Sequence, residues 1–219
     1  MQKLFITLFI LYAVSANASL PDQAKWEFEV VLDGEKIGFH NFSVNADDGI
    51  QTVTTEAKFD VKLFFVNVYS YKHQNKEVWE DNCLAAIEAE TDANGKDYEV
   101  RGKSNNGQFQ MQSRTAEKDL PSCIMTYAYW NPDFLTADRL LNSQTGNFES
   151  VDITRVGEDV LTFNGQEIKA IKYSLSAEAG PITLWYAAND YRWLGLESTV
   201  RGGRVLRYEP ISLPAASKT

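Results

Sequence analysis

Cysteine and histidine are scarce in this chain, with two of each among 219 residues. His40, His73, Cys83 and Cys123 are too widely scattered to match a recognised zinc spacing, so no metal ligands are assigned. Motifs for covalent chemistry are missing as well. No G-x-S-x-G occurs, and Ser70 and His73 have opposite parity on one strand, which keeps that serine from that base. No glycine-rich phosphate loop is present, and nothing calls for a cofactor. Basic residues are outnumbered, 21 Lys and Arg against 30 Asp and Glu, for a formal net charge of −9. Such a charge repels nucleic acid and anionic headgroups, which argues against DNA, RNA or a lipopolysaccharide core as partner. Beyond residue 18 no apolar run approaches the roughly 20 residues that span a bilayer, so no integral membrane helix is expected.

What is present begins with an address. Lys3 gives a positive start, Leu4 to Val14 is an almost unbroken apolar run, and Ala16-Asn17-Ala18 places small residues where a signal peptidase reads them. Residues 1–18 therefore read as a signal peptide cleaved after Ala18, and the mature chain as exported and periplasmic. No cysteine follows the cleavage site, so a lipoprotein anchor is not expected. In an oxidising compartment the default for Cys83 and Cys123 is a disulfide.

The pattern along the mature chain is β almost throughout. Trp26, Phe28, Val30 and Leu32 alternate with polar residues, and Val53, Thr55, Ala57, Phe59 and Val61 do the same. Asp33-Gly34, Asn94-Gly95, Asn106-Gly107 and Asn164-Gly165 are hairpin signals. Parity slips near His40, which predicts a bulge there. Leu63 to Val66 reads as a buried crossing. The single helical stretch is 132–141, with Asn131 as cap and Pro132 in the first turn. About twelve short strands predict an all-β fold: an antiparallel, strongly curved sheet in a barrel-like or sandwich architecture with one short helix. Residues 19–209 read as one β-rich domain, whose two halves would join through a linker at 116–122, and 210–219 as a flexible tail. Uneven strands with charge on both faces, and a Ser217-Lys218-Thr219 ending, speak against an outer-membrane barrel.

Several blocks carry a resemblance when taken in order. They are Leu32-Asp33-Gly34, Tyr69-Ser70-Tyr71-Lys72-His73, Glu77-Val78-Trp79, Tyr129-Trp130-Asn131-Pro132, Leu140 to Gly146, Val156-Gly157-Glu158-Asp159, Leu184-Trp185-Tyr186 and Arg201-Gly202-Gly203. Together they resemble the DUF6134 family of exported bacterial proteins over nearly all of the mature chain. The resemblance implies a β fold and an exported bacterial protein, and it transfers no catalytic residue.

The best candidate constellation is Tyr69, Tyr71, His73, Glu77 and Trp79. All share one strand face, while Ser70, Lys72, Gln74 and Lys76 make the solvent face. A histidine and a glutamate carried inward among aromatics can orient a ligand, or can be satisfied core groups. Trp130 and Trp185 extend the aromatic supply, although Trp185 and Tyr186 must face opposite ways. These seven residues are the candidate ligand-binding set, for an apolar or amphipathic small molecule such as a lipid. The competing expectations are a non-enzymatic structural or interaction protein of the cell envelope and, less favoured, an enzyme using His73 and Glu77. Cleavage after Ala18 predicts Ser19 as the first residue of periplasmic material on N-terminal sequencing; a retained Met1 would contradict it.

Overall fold

The computed structural model describes residues 23–63, 65–178, 180–200 and 202–216. The expected signal peptide, 1–18, lies outside the described residues, as do 217–219 of the expected tail. Eight strands come first: β1 (Gln23–Leu32), β2 (Glu35–Asp47), β3 (Ile50–Leu63), β4 (Val66–Glu80), β5 (Cys83–Ala93), β6 (Lys96–Asn105), β7 (Gln108–Ser113) and β8 (Glu117–Pro121). A denser stretch follows, with β9 (Met125–Thr126), a 3-10 helix (Pro132–Thr136), β10 (Arg139–Leu141) and β11 (Phe148–Ser150). Long strands then resume as β12 (Asp152–Phe163), β13 (Gln166–Ala177), β14 (Gly180–Ala187), β15 (Trp193–Val200) and β16 (Arg204–Ser212).

Thirteen of these form one antiparallel sheet, in the order β12-β13-β14-β15-β16-β1-β2-β3-β4-β5-β6-β7-β8. The sheet is a meander in two runs, joined where β1 pairs with β16. It does not close: β12 and β8 are its edges. It is nevertheless strongly curved. Phe109 of β7 and Tyr186 of β14 belong to one buried cluster although nine strand spacings separate them, about 43 Å in a flat sheet. The concave side is filled by the chain itself. Ile124, Ala128, Trp130, Phe134, Leu140 and Leu141, all from 122–151, are buried against Trp26, Phe28, Trp79 and Trp193 of the sheet. The Cys83–Cys123 disulfide ties the start of this insert to β5, and Leu84 N–H donates to Ile124 O alongside it at 3.1 Å.

The hairpins explain the alternation. Asp33 and Gly34 have φ of 53° and 86°, the two left-handed positions of a turn that matches strand twist. Asp81-Asn82 makes the same turn without glycine, at 48° and 61°, because short polar side chains tolerate this region. Gly38 is required for space: a Cβ there would lie 1.8 Å from Lys58 O.

Several expectations need correction. The helix covers only 132–136; Leu140 and Leu141 are instead buried on β10, with Leu140 pairing Glu149 and Met125. Their apolar spacing fits a helix face and a short buried strand equally well. The expected linker at 116–122 supplies edge strand β8, its Leu120 buried. The bulge lies at Ile37, opposite Val30 and Val31, not at His40. Of the expected buried crossing Leu63 to Val66, Phe64 lies outside the described residues, while Phe65, between β3 and β4, is 100% exposed and Val66 is exposed too. Strands are more numerous and longer than expected, with β4 reaching 15 residues. The tail loses Pro210–Ser212 to β16, and Pro214 beyond it is buried and accepts from Arg192 Nη1.

The disulfide joins positions 40 residues apart. Cys123→Ser is expected to lower unfolding free energy by about 3–4.5 kcal/mol in urea titrations. A loss below about 1 kcal/mol would show that packing of the insert alone holds it.

Candidate functional site

A cleft of about 220 Å³ opens on the concave side between the inner faces of β2, β3 and β4 and the insert. Its floor includes Thr55, a small side chain of β3. Across neighbouring strands the register reads His40–Ala57–His73, and one pair further on Phe42–Thr55–Asn75. Large groups stand on β2 and β4, whereas β3 supplies only Ala57 and Thr55 between them. The rows are shallow in the middle, and the insert residues Thr126 to Trp130 and Asn142 to Gln144 roof the space without filling it.

Polar groups gather in this cleft. His40 Nδ1 lies 2.9 Å from the Tyr208 hydroxyl, and its ring stacks on Phe42 at 4.3 Å. His73 Nδ1 lies 2.7 Å from Thr91 Oγ1. The Tyr71 hydroxyl donates to Gln144 Oε1 at 3.1 Å, linking β4 to the roof. Glu77 is the deepest charged group, 3% exposed. Asn75 Nδ2 donates to its Oε1 and Trp79 Nε1 to its Oε2, each at 2.9 Å, and Thr126 adds a third bond. Two of the cleft-lining residues carry a buried atom with no partner among the described residues, His40 Nε2 and Asn75 Oδ1.

Burial sets the protonation states. It holds His40 well below its ordinary value, with His73 adding a smaller push in the same direction. Burial also brings His73 down to about 4. Both imidazoles are therefore neutral near pH 7. Burial raises the Glu77 carboxyl, against the opposing effect of its bonds from Asn75, Trp79 and Thr126. Desolvation likewise raises the Tyr71 hydroxyl.

Of the seven sequence candidates, Tyr71, His73, Glu77 and Trp130 line the cleft together. Trp79 lies beneath it, bonded to Glu77 and edge-on to Trp130 at 5.6 Å between ring centres. Tyr69 is exposed nearer the hairpin tip. Trp185 is on the opposite face of its strand from buried Tyr186, its indole donating to Asp159 Oδ2, so it does not join the others. Lys72 and Lys76 face solvent, as the alternation requires. Four groups were missed. Asn75 shares the parity of His73 and Glu77, so period two alone could have found it. His40, Tyr208 and Gln144 arrive from distant strands and loops, and no local pattern marks them. Among the described residues no three His, Cys, Asp or Glu side chains converge to hold a metal ion.

A wrapped antiparallel sheet packed around its own insert, with a polar and aromatic cleft between them, defines a β-barrel-like protein. The same architecture appears in the crystal structure of a beta-barrel-like protein of domain of unknown function DUF1849 from Brucella abortus. The TM-score is 0.62 at 9% identity, over 87% of this chain and 96% of that one, a likeness of fold alone. Residues 28–211 match the family described as domain of unknown function DUF6134, and the chain belongs to that family. No curated protein matches the sequence.

His73 provides a test of burial. In the unfolded chain a histidine takes up its proton near pH 6.5, whereas in the native state it waits until about 4. Across that window the unfolded state binds more protons, so stability falls as pH falls. Wild type is expected to lose about 3 kcal/mol relative to His73→Gln between pH 7 and pH 4 in urea titrations. A constant gap would place His73 in contact with water.

Proposed function

We propose that this is an exported periplasmic binding protein that holds a small amphipathic molecule in the cleft beside β4. The observation that carries the reading is the pair of unpartnered buried atoms, His40 Nε2 and Asn75 Oδ1, in two residues that line one cavity. Buried polar atoms are nearly always bonded, so a ligand that meets them recovers a penalty of about 1–3 kcal/mol each. The aromatic rings of Tyr71, Tyr127 and Trp130 give such a ligand an apolar flank. The size of the space limits it: at about 220 Å³ it falls below the roughly 300–1,000 Å³ of drug-sized sites. A short amphiphile or the end of a longer lipid suits it better than a whole lipid.

Envelope interaction without a small molecule is the second reading. Its support is the β3–β4 hairpin tip, where Phe65, Val66 and Val68 are all exposed. An enzyme using His73 and Glu77 draws no support from the geometry. The two lie four residues apart on one strand, about 13 Å along its axis, and bond to different neighbours.

Native mass spectrometry of protein taken from periplasm is expected to show a co-purified small molecule. For a fluorescent amphiphile that quenches tryptophan emission, Tyr71→Ala is expected to weaken binding at least tenfold. Trp185→Ala, on the other face, should change it less than twofold. Equal effects, or no binding at tens of micromolar probe, would favour the interaction reading.

A further inference from the structure

The binding reading leaves open what kind of polar group the cleft takes, and the charges around it narrow the choice. Among the described residues Glu77 is the one carboxylate on the cleft wall, and no lysine or arginine lines it. None of the ion pairs among the described residues includes Glu77. All its partners are neutral donors: the Asn75 amide, the Trp79 indole and Thr126. A buried carboxylate without a counter-charge is costly, and it is placed here at the wall of a cavity rather than in solid core. Three donors also leave room for one more, since a carboxylate offers about four acceptor sites.

Asn75 sharpens the requirement. Its Nδ2 is committed to Glu77 Oε1, which turns Oδ1 into the free end of the amide. That oxygen is unpartnered, in a side chain 8% exposed, and it can only accept. The vacancy is thus for a hydrogen-bond donor beside a negative charge. The rings of Tyr71, Tyr127 and Trp130 also line the cleft, and aromatic rings attract a cation. An anionic headgroup meets the opposite of each feature.

We propose that the cleft selects a small primary ammonium group, with Glu77 as its counter-charge, Asn75 Oδ1 as an acceptor and the surrounding rings as its apolar flank. The inference rests on the binding reading and adds the sign and donor character of the ligand. A primary ammonium carries three donors and fits both acceptors at once. A quaternary ammonium has the charge but no N–H for Asn75. The alkyl stem of the ligand would lie along the aromatic wall, as an amphipathic molecule requires.

The test compares three probes on the wild-type mature chain: n-butylammonium, n-butanol and tetramethylammonium. The indole N–H resonances of Trp79 and Trp130 report on binding, one bonded to Glu77 and the other on the cleft wall. Saturable shifts are expected with n-butylammonium, at least tenfold weaker binding with n-butanol, and intermediate binding with tetramethylammonium. Glu77→Gln is expected to bring n-butylammonium and n-butanol within threefold of each other. Should that variant fail to fold, the wild-type comparison decides alone. If n-butanol binds as tightly as n-butylammonium, the ammonium preference is overturned and the binding reading survives. If tetramethylammonium matches n-butylammonium, the role of Asn75 as acceptor is overturned. If neither these probes nor the fluorescent amphiphile moves either indole, the binding reading falls as well.

Discussion

The need to cover the concave face of a thirteen-stranded sheet governs this molecule. A meander of that width carries more apolar surface on one side than a flat sheet can hide, and the second sheet among the described residues has only three strands. The chain answers by curling the sheet and laying residues 122–151 into the hollow, where Trp130, Phe134, Leu140 and Leu141 are almost wholly buried. Each of these side chains, fully buried, contributes about 1.5–3 kcal/mol or more by area. The disulfide at Cys123 and the Trp79–Trp130 contact fix where the insert enters. Everything about the cleft follows from this arrangement, because it is the part of the hollow that the insert roofs and does not fill.

The cleft exists because of a size pattern running across strands rather than along one. Ala57 and Thr55 sit between His40 and Phe42 on one side and His73 and Asn75 on the other. Thr55 lines the cleft, and a larger residue there would narrow its floor. Filled, the same site would be ordinary core, and its polar atoms would be defects. With the space retained, two residues with unpartnered atoms, His40 and Asn75, line one volume with Glu77 and several rings. Polar groups in a fold interior are costly to leave unsatisfied; besides the two in cleft residues, Asn131 Nδ2 and Arg192 Nε are unpartnered in residues outside its lining, whereas aromatic contacts such as Phe28 with Trp193 simply fill space.

The β class, most hairpin turns, the disulfide and the inward face of β4 were all legible in the sequence. Each depends on neighbours close along the chain: Asp33-Gly34 dictates a turn by itself, and Tyr71, His73 and Trp79 share a face by period two. Errors occurred where the deciding partner is remote. Leu140 and Leu141 resemble a helix face until β9 and β11 are known to flank them. Residues 116–122 resemble a linker until β7 offers an edge. Phe65 and Val66 are apolar and read as inward, but they sit where β3 turns into β4 and are exposed. The candidate site was half legible for the same reason. Its β4 members follow from alternation, whereas His40, Tyr208 and Gln144 join only through the long-range pairing of strands.

The pairing of β1 with β16 has a consequence for the order in which the chain can fold. Glu27 finds its neighbour in Ser212, so the middle of the sheet is assembled from the two ends of the folded region. The whole chain between them, residues 28–211, must be available before the two can meet. Until then β1 has a partner on one side only, and the apolar residues of its other edge wait uncovered. Long-range pairing of this kind slows folding and leaves an open strand edge that invites the wrong neighbour. The last strand to be synthesised is thus a seam that locks both runs of the meander at once, and a chain truncated before residue 204 would lack it entirely.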